Sequence, residues 1–321
     1  MKYLITVNTC NRLSEVKKYI WDYLALVNED NRFHFVLSLD GSRQDYQDFA
    51  NDFDIPLIYS EQREGVGLSK NRVLLQFPDY DYYFFIDDDV ELLDNSLFDN
   101  CIELMQSTRI HHICVNHQKS NTYQGLLNGF NVSHSLTGGG YFTCYSKKGI
   151  QAVGGFHPLF AKYKRYGHSE HSYRFMHAGL QTSPFIFFRE GMSKLVVHSP
   201  PSVTSHLNHD TNKNEWISDE QELIDLKTEF YPLETICSFY FNQKPTGFNK
   251  TVSEFLKVHT KKYPLANRKQ RRIALAHHFA LRIPISSGFF QKTFLFLKSA
   301  AYAPSNNSLR HYIKTNLLGK N

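Results

Sequence analysis

The sequence predicts an α/β protein: a largely parallel sheet with helices on both faces. Apolar runs of strand length alternate with amphipathic segments of helix length through the first half of the chain. Polar clusters recur at the ends of successive strands, which is where such sheets bind ligands. The chain has 321 residues, 41% of them hydrophobic and 15% aromatic, enough for one large or two modest domains with a real core.

Taken in order, Tyr3–Val7 reads as a strand and Leu13–Leu26 as an amphipathic helix. Phe33–Leu39 is the next strand, Asp45–Phe53 a helix and Pro56–Tyr59 a short strand. Gly67–Leu75 reads as helical and Tyr82–Ile86 as a strand. Residues 111–160 mix strands and loops around Gly138-Gly139-Gly140. Gly154-Gly155-Phe156 and Tyr166-Gly167 bracket a loop that leads into a helix from Ser169 to Ala178. Strands follow within 185–206, including Lys194–Val197, then a helix near 216–229 and a basic region from 245.

Among the strand ends, Phe84-Phe85-Ile86-Asp87-Asp88-Asp89 carries the most information. Adjacent carboxylates repel and raise one another's pKa, so something positive should sit among them, most simply a hard divalent cation. On an extended strand Asp87 and Asp89 share a face and Asp88 points away. A solvated strand end, or a helix cap ahead of Val90-Glu91-Leu92-Leu93, is the plain alternative. After the first strand come Thr9, Asn11 and Arg12, which either hold a nucleotide base or let Asn11 or Ser14 cap the next helix. Asp40-Gly41-Ser42 either presents a carboxylate to a base N–H or forms a turn. In Arg63-Glu64-Gly65-Val66-Gly67-Leu68-Ser69-Lys70-Asn71-Arg72, the glycines permit close backbone approach. Lys70 and Arg72 then begin a helix whose positive end suits a diphosphate. A solvated basic helix face is the alternative there.

These elements together resemble the GT-A glycosyltransferases, in particular family 2 of the nucleotide-sugar-dependent enzymes. The resemblance runs from Tyr3 to about His206. It adds Gly154-Gly155-Phe156 and the Tyr166-Gly167 to Glu170 loop to the motifs above. It implies that Thr9 and Asp40 contact the base and that Asn11, Arg12 and Asp88 lie in the nucleotide site. Lys70 and Arg72 would lie near base or diphosphate, Asp87 on the ribose, and Asp89 on a Mn2+ or Mg2+ ion bridging the phosphates. Such an ion stabilises the departing nucleoside diphosphate. Glu170 matches the family's catalytic base, with His171 where relatives often carry an aspartate. Gly139, Gly140 and His171 fall on the acceptor side. GT-A enzymes often supply a late histidine to the metal, and His198 is favoured over His206. The other histidines, of sixteen in all, show no metal-ligand spacing.

Charge divides the chain. Residues 250–321 carry 14 Lys and Arg against the single acidic Glu254, whereas 1–249 carry 22 basic and 30 acidic residues. Basic clusters beside Phe289-Phe290 and Phe294–Leu297 suit an anionic membrane surface. A basic helical appendage packed on the domain is the alternative, and no nucleic-acid module accompanies the charge. The expected domains are 1–244, catalytic, and 245–321, basic and mainly helical. Five widely spaced cysteines without C-x-x-C argue against a disulfide framework or a zinc site. With no signal peptide or transmembrane run, the expected location is cytoplasmic, at the membrane's inner face.

The expectation for function is therefore a metal-dependent glycosyltransferase. It would use a nucleotide sugar, a UDP-sugar by preference, and a glycan or lipid-linked acceptor, with inversion. The rivals are a catalytically silent glycan-binding or scaffolding protein and a sugar nucleotidyltransferase. The latter should show a glycine-rich loop after the first strand, where this chain has Asn8-Thr9-Cys10-Asn11-Arg12.

Overall fold

A computed structural model describes residues 1–108, 110–115, 123–135, 138–156, 167–177, 180–181, 183, 185–198 and 289–302. The expected helix at 216–229, His206 and all of 245–321 outside 289–302 lie beyond the described residues.

The centre is a nine-stranded sheet of order β3-β2-β1-β4-β9-β6-β10-β8-β7. Its first half contains β1 (Tyr3–Thr9), β2 (Phe33–Leu39), β3 (Leu57–Tyr59) and β4 (Tyr82–Asp87). These four are parallel, as β1 pairs with β2 and β4 and β2 pairs with β3. The remaining sheet strands are β6 (His112–Val115), β7 (Tyr123–Leu127), β8 (Phe130–Ser135), β9 (Phe142–Ser146) and β10 (Phe185–Phe188). Here the parallel expectation gives way. Strand β9 inserts antiparallel between β4 and β6, and β10 pairs parallel to β6 but antiparallel to β8. A separate ribbon pairs β5 (Val90–Leu92) with β11 (Leu195–Val197). That ribbon removes the alternative of a helix cap after Asp89.

Helices α1 (Leu13–Tyr19), α2 (Trp21–Glu29), α3 (Gln44–Asp52), α4 (Val66–Gln76), α5 (Ser96–Thr108), α6 (Lys147–Val153) and α7 (Gly167–His177) accompany the sheet, and α8 (Phe289–Tyr302) follows. The single helix expected over 13–26 is two, interrupted at Ile20. Strand alternation assigns the layers. Tyr3, Ile5, Val7, Tyr82, Phe84 and Ile86 share one core with side chains from α1, α2, α3 and α5. Leu4, Tyr83 and Phe85 join the other core, with Val73 and Leu74 of α4, Ile150 and Val153 of α6 and Phe175 of α7. Burial of each such aliphatic or aromatic side chain contributes roughly 1.5–3 kcal/mol, so both sheet faces are firmly covered. None of the described helices is long and apolar enough to cross a membrane. Cys101, Cys114 and Cys144 are buried thiols.

Register positions the chemistry. Asn8 of β1 stands opposite Ser38 of β2 and Asp87 of β4, and Thr9 stands opposite Leu39. The carboxyl ends of the three strands therefore finish on one line, with Thr9, Asp40 and Asp87 along it.

Candidate functional site

Strand β4 ends at Asp87 and the chain turns through Asp88 and Asp89. The expected alternation stops there, because a turn does not keep the two-residue period. Asp87 keeps the face of Phe85 and Tyr83 and so meets α4. Asp88 does not point away from Asp89: both carboxylates receive the Arg12 guanidinium. Arg12 Nη1 lies 2.9 Å from Asp88 Oδ1 and Nη2 lies 3.0 Å from Asp89 Oδ2. The positive partner anticipated among the carboxylates is thus, in part, this side chain.

A relay fixes that arrangement. The Arg12 backbone N–H donates to Tyr46 Oη at 2.8 Å, Tyr46 Oη and Thr9 Oγ1 are 2.8 Å apart, and Thr9 Oγ1 donates to Asp88 Oδ2 at 2.7 Å. Tyr46, on α3, is absent from the sequence reading. Its only signal was its place on the buried face of an amphipathic helix. Asn11 adopts φ 54°, a left-handed conformation that asparagine tolerates, and its Oδ1 accepts from Arg43. Neither Asn11 nor Ser14 caps α1; the N-cap residue is Arg12.

Burial pushes Asp87 up to about 6, with Lys70 pulling it down and Asp89 pushing it up. Asp88 is pushed up to about 7 by burial, which outweighs the lowering pulls of Thr9 and Arg12. In both, burial is the largest cause and the neighbouring carboxylates add to it. Among the described residues no group of three or more Asp, Glu, His or Cys converges to hold a metal alone. The donor set still fits Mg2+ or Mn2+, which characteristically take one or two carboxylates and complete their shell with phosphate and water.

Asp40 is buried at the mouth of β2. Its Oδ1 accepts the backbone N–H groups of Glu64 at 2.7 Å and Gly65 at 2.9 Å, and Arg63 Nε approaches Oδ2 to 3.6 Å. Gly65 sits at φ 95°, a conformation glycine adopts without strain, and this turns both N–H groups onto the carboxylate. Beside it opens a cleft of about 190 Å³ lined by Cys10, Asn11, Asp40, Arg43, Glu61 and Arg63. Its mixed donors and acceptors and its size suit a flat heterocycle rather than a whole nucleotide sugar.

Lys70 and Arg72 do not begin a helix, as the sequence suggested. Helix α4 starts at Val66, so both lie within it and face inward. Lys70 is 3% exposed, its Nζ 5.4 Å from the ring centres of both Phe85 and Phe156. Burial lowers its pKa, and Asp87 opposes that shift. Arg72 pairs with Glu64 and donates to the Leu39 carbonyl at 3.3 Å, close to Asp40 rather than to the Asp87–Asp89 turn.

The Gly-Gly-Phe segment after α6 is held by side chains. Arg174 Nη1 donates to Val153 O at 2.7 Å and Nη2 donates to Gly155 O. His171 Nε2 donates to Gly154 O at 2.7 Å, and Asn71 Nδ2 donates to Phe156 O at 2.8 Å while its Oδ1 accepts from Phe156 N–H at 2.7 Å. Arg174, fully buried, also meets both oxygens of Glu170, with Nε 2.7 Å from Oε1 and Nη2 3.0 Å from Oε2. His171, expected on the acceptor side, is 0% exposed and packs on Phe156, and burial holds its pKa well below the usual histidine value. Arg174 and Asn71 escape sequence reasoning as site residues, because most of their partners are backbone groups distant in sequence.

Gly139 and Gly140 lie in a loop tied at both ends. His168 Nε2 donates to Gly138 O at 2.7 Å, and Tyr141 O accepts the Asp87 N–H at 2.8 Å. A Cβ on Gly140 would come within 3.2 Å of the His168 ring. The loop thus joins the Asp87 turn to the helix carrying Glu170. His198 donates its backbone N–H to Asp89 O at 2.8 Å, but its ring stacks on Tyr19 and its Nε2 lies 2.7 Å from Glu91 Oε2. Its side chain is therefore engaged beside the turn rather than on it.

Residues 5–152 match the model of glycosyl transferase family 2. No curated protein matches the chain. Among solved structures it is similar to the mannosyltransferase PcManGT of Pyrobaculum calidifontis in complex with GDP-Man and Mn2+, with TM-score 0.49, 14% identity, and 100% of this chain and 88% of that chain covered. It is also similar to TarS 1-349 of S. aureus in complex with UDP, with TM-score 0.44, 12% identity and coverages of 98% and 92%. The same TarS fragment with UDP-GlcNAc gives TM-score 0.39 and 14% identity, covering 100% of this chain and 93% of that chain.

Proposed function

We propose that this chain is a glycosyltransferase of family 2, the family whose model residues 5–152 match, and that it moves a sugar from a nucleoside diphosphate donor, by preference a UDP-sugar, to a glycan or lipid-linked acceptor. One observation carries the donor-site reading: Thr9 and Asp87 end the parallel strands β1 and β4, Asp40 directly follows the end of β2 beside a polar cleft, and all three lie at the carboxyl edge of the sheet. In this reading the cleft at Asp40, Arg43 and Arg63 receives the base and Asp87 the ribose. Asp89 would hold a Mg2+ or Mn2+ ion together with diphosphate oxygens. The ion, when bound, neutralises charge developing on the departing diphosphate.

Glu170 is the proposed general base, taking the proton from the acceptor hydroxyl as that oxygen attacks the anomeric carbon, which gives inversion. Arg174 would orient the carboxylate and Asn71 would hold Phe156 beneath it. A second reading rests on that same ion pair. Both Glu170 oxygens meet a buried guanidinium, as in a structural pair, and a glycan-binding protein on this fold would need no more of it. The basic region 245–321 is proposed to rest on an anionic membrane. Phe294 and Leu297, exposed one turn apart on α8, support this, as does the charge excess.

The donor reading is tested by thermal shift with UDP-sugars and GDP-sugars, with and without Mn2+, on wild type and Asp89→Ala. At ~100 times Kd a ligand stabilises by about 2.7 kcal/mol, which a melting curve resolves. Stabilisation by one nucleotide family that needs Mn2+ and Asp89 is the expected result, and a flat panel on folded protein rejects it. Co-sedimentation of the full chain with anionic but not neutral vesicles checks the membrane contact.

A further inference from the structure

We propose that Arg12 is the internal cation of the carboxylate turn: it bridges Asp88 and Asp89, a divalent ion reaches Asp89 only by displacing it, and Arg12 thereby sets the metal affinity of the site. This rests on the metal reading above and adds to it a competitor within the chain.

The two carboxylates are held unequally. Asp88 takes Arg12 Nη1 on one oxygen and the Thr9 hydroxyl on the other, with Tyr46 behind Thr9, so it stays fixed when the guanidinium leaves. The Asp89 side chain takes Arg12 Nη2, while its backbone carbonyl is anchored separately by the His198 N–H. The Arg12 backbone is also fixed: its N–H donates to Tyr46, and its carbonyl accepts from Glu15 and Val16 at the start of α1. Movement is therefore confined to the side chain, which remains 23% exposed. Its buried Nε has no acceptor among the described residues, so the guanidinium sits where charge draws it without full hydrogen bonding there.

A +1 guanidinium and a +2 ion cannot share one carboxylate cheaply. At about 4 Å the two cations repel even at the effective dielectric of a protein surface, and a divalent ion doubles the repulsion between unit charges. Arginine is suited to this post because its planar fork spans two carboxylates at once, which a lysine ammonium does not do bidentately. Metal entry then exchanges one cation for another, and the turn carries a positive partner before and after.

The test measures free Mn2+ by electron paramagnetic resonance in titrations of wild type, Arg12→Gln, Arg12→Lys and Asp89→Ala, each alone and with UDP or GDP. Arg12→Gln should bind Mn2+ about tenfold more tightly than wild type, the effect of removing one competing charge, with Arg12→Lys between them. In melting curves Arg12→Gln should lose stability without Mn2+ and regain it with Mn2+, giving a larger metal-induced shift than wild type. Equal or weaker Mn2+ binding by the folded variants overturns the proposal while leaving the metal reading intact. If Arg12→Gln does not fold without metal, Arg12→Lys decides by the same comparison. If wild type binds no Mn2+ even with UDP and GDP, the metal reading fails and this inference falls with it, a pattern distinct from equal affinities.

Discussion

Single residues carry the sharpest expectations. Glu170→Gln keeps the shape of its pair with Arg174 but cannot take a proton, so turnover should fall ~10²–10⁴-fold while donor binding persists. Unchanged turnover, measured by release of the nucleoside diphosphate, would assign Glu170 a structural task only. Thr9→Val removes the hydroxyl between Tyr46 and Asp88 and leaves both short of a partner. It should cost roughly 1–3 kcal/mol in urea unfolding. At this scale the sequence was legible where a motif names its own chemistry: Arg12 meets Asp88 and Asp89 directly. It was opaque where a side chain serves backbone atoms far along the chain. Asn71 reaches Phe156 across 85 positions, and no local pattern announces that.

Elements were legible in proportion to their periodicity. Strand β2 is found over the expected Phe33–Leu39, because its run of apolar residues is bounded by polar turns on both sides. The break at Ile20 is not legible, since the amphipathic pattern continues through it from α1 into α2. The sequence reading assigns no element to α5, although Leu97, Phe98, Cys101, Ile102, Leu104 and Met105 trace a helical stripe and all are buried. Strand β9 was unforeseeable in its place: antiparallel insertion between β4 and β6 depends on long-range pairing, not on local pattern. Its approach loop makes an element-scale prediction. A Cβ on Gly138 would lie 2.5 Å from the Phe185 ring, so Gly138→Ala must shift the loop that reaches Asp87 through Tyr141. A stability loss of about 1–3 kcal/mol is expected by calorimetry, with weaker donor binding.

At the scale of the whole molecule, the buried titratable groups of the described residues bear on the response to acid. Burial depresses His112 to about 3 and His134 to about 4, and holds His171 lower than an ordinary histidine. Partly exposed His111 and His168 are each depressed to about 4. The unfolded chain takes up these protons near pH 6.5 and the folded chain does not, so stability falls as pH drops from there toward 4. Asp87 and Asp88 act oppositely, because their raised values let the folded state bind protons first. Among the described residues these five histidines outweigh the two aspartates, and the melting temperature should fall between pH 7 and 5; a rise would mean the aspartates dominate. One feature bears on motion. In the Gly-Gly-Phe segment, each carbonyl from Val153 to Phe156 is taken by a side chain of Asn71, His171 or Arg174, and the Phe156 amide is taken as well. Irregular backbone of this kind ordinarily opens easily. Here three side chains from two helices stand in for a neighbouring strand. The Phe156 amide should therefore exchange its hydrogen as slowly as those of β4, and speed up in Asn71→Ala. Rearrangement around a bound donor is then left to other parts of the chain, because this segment is built as an anvil.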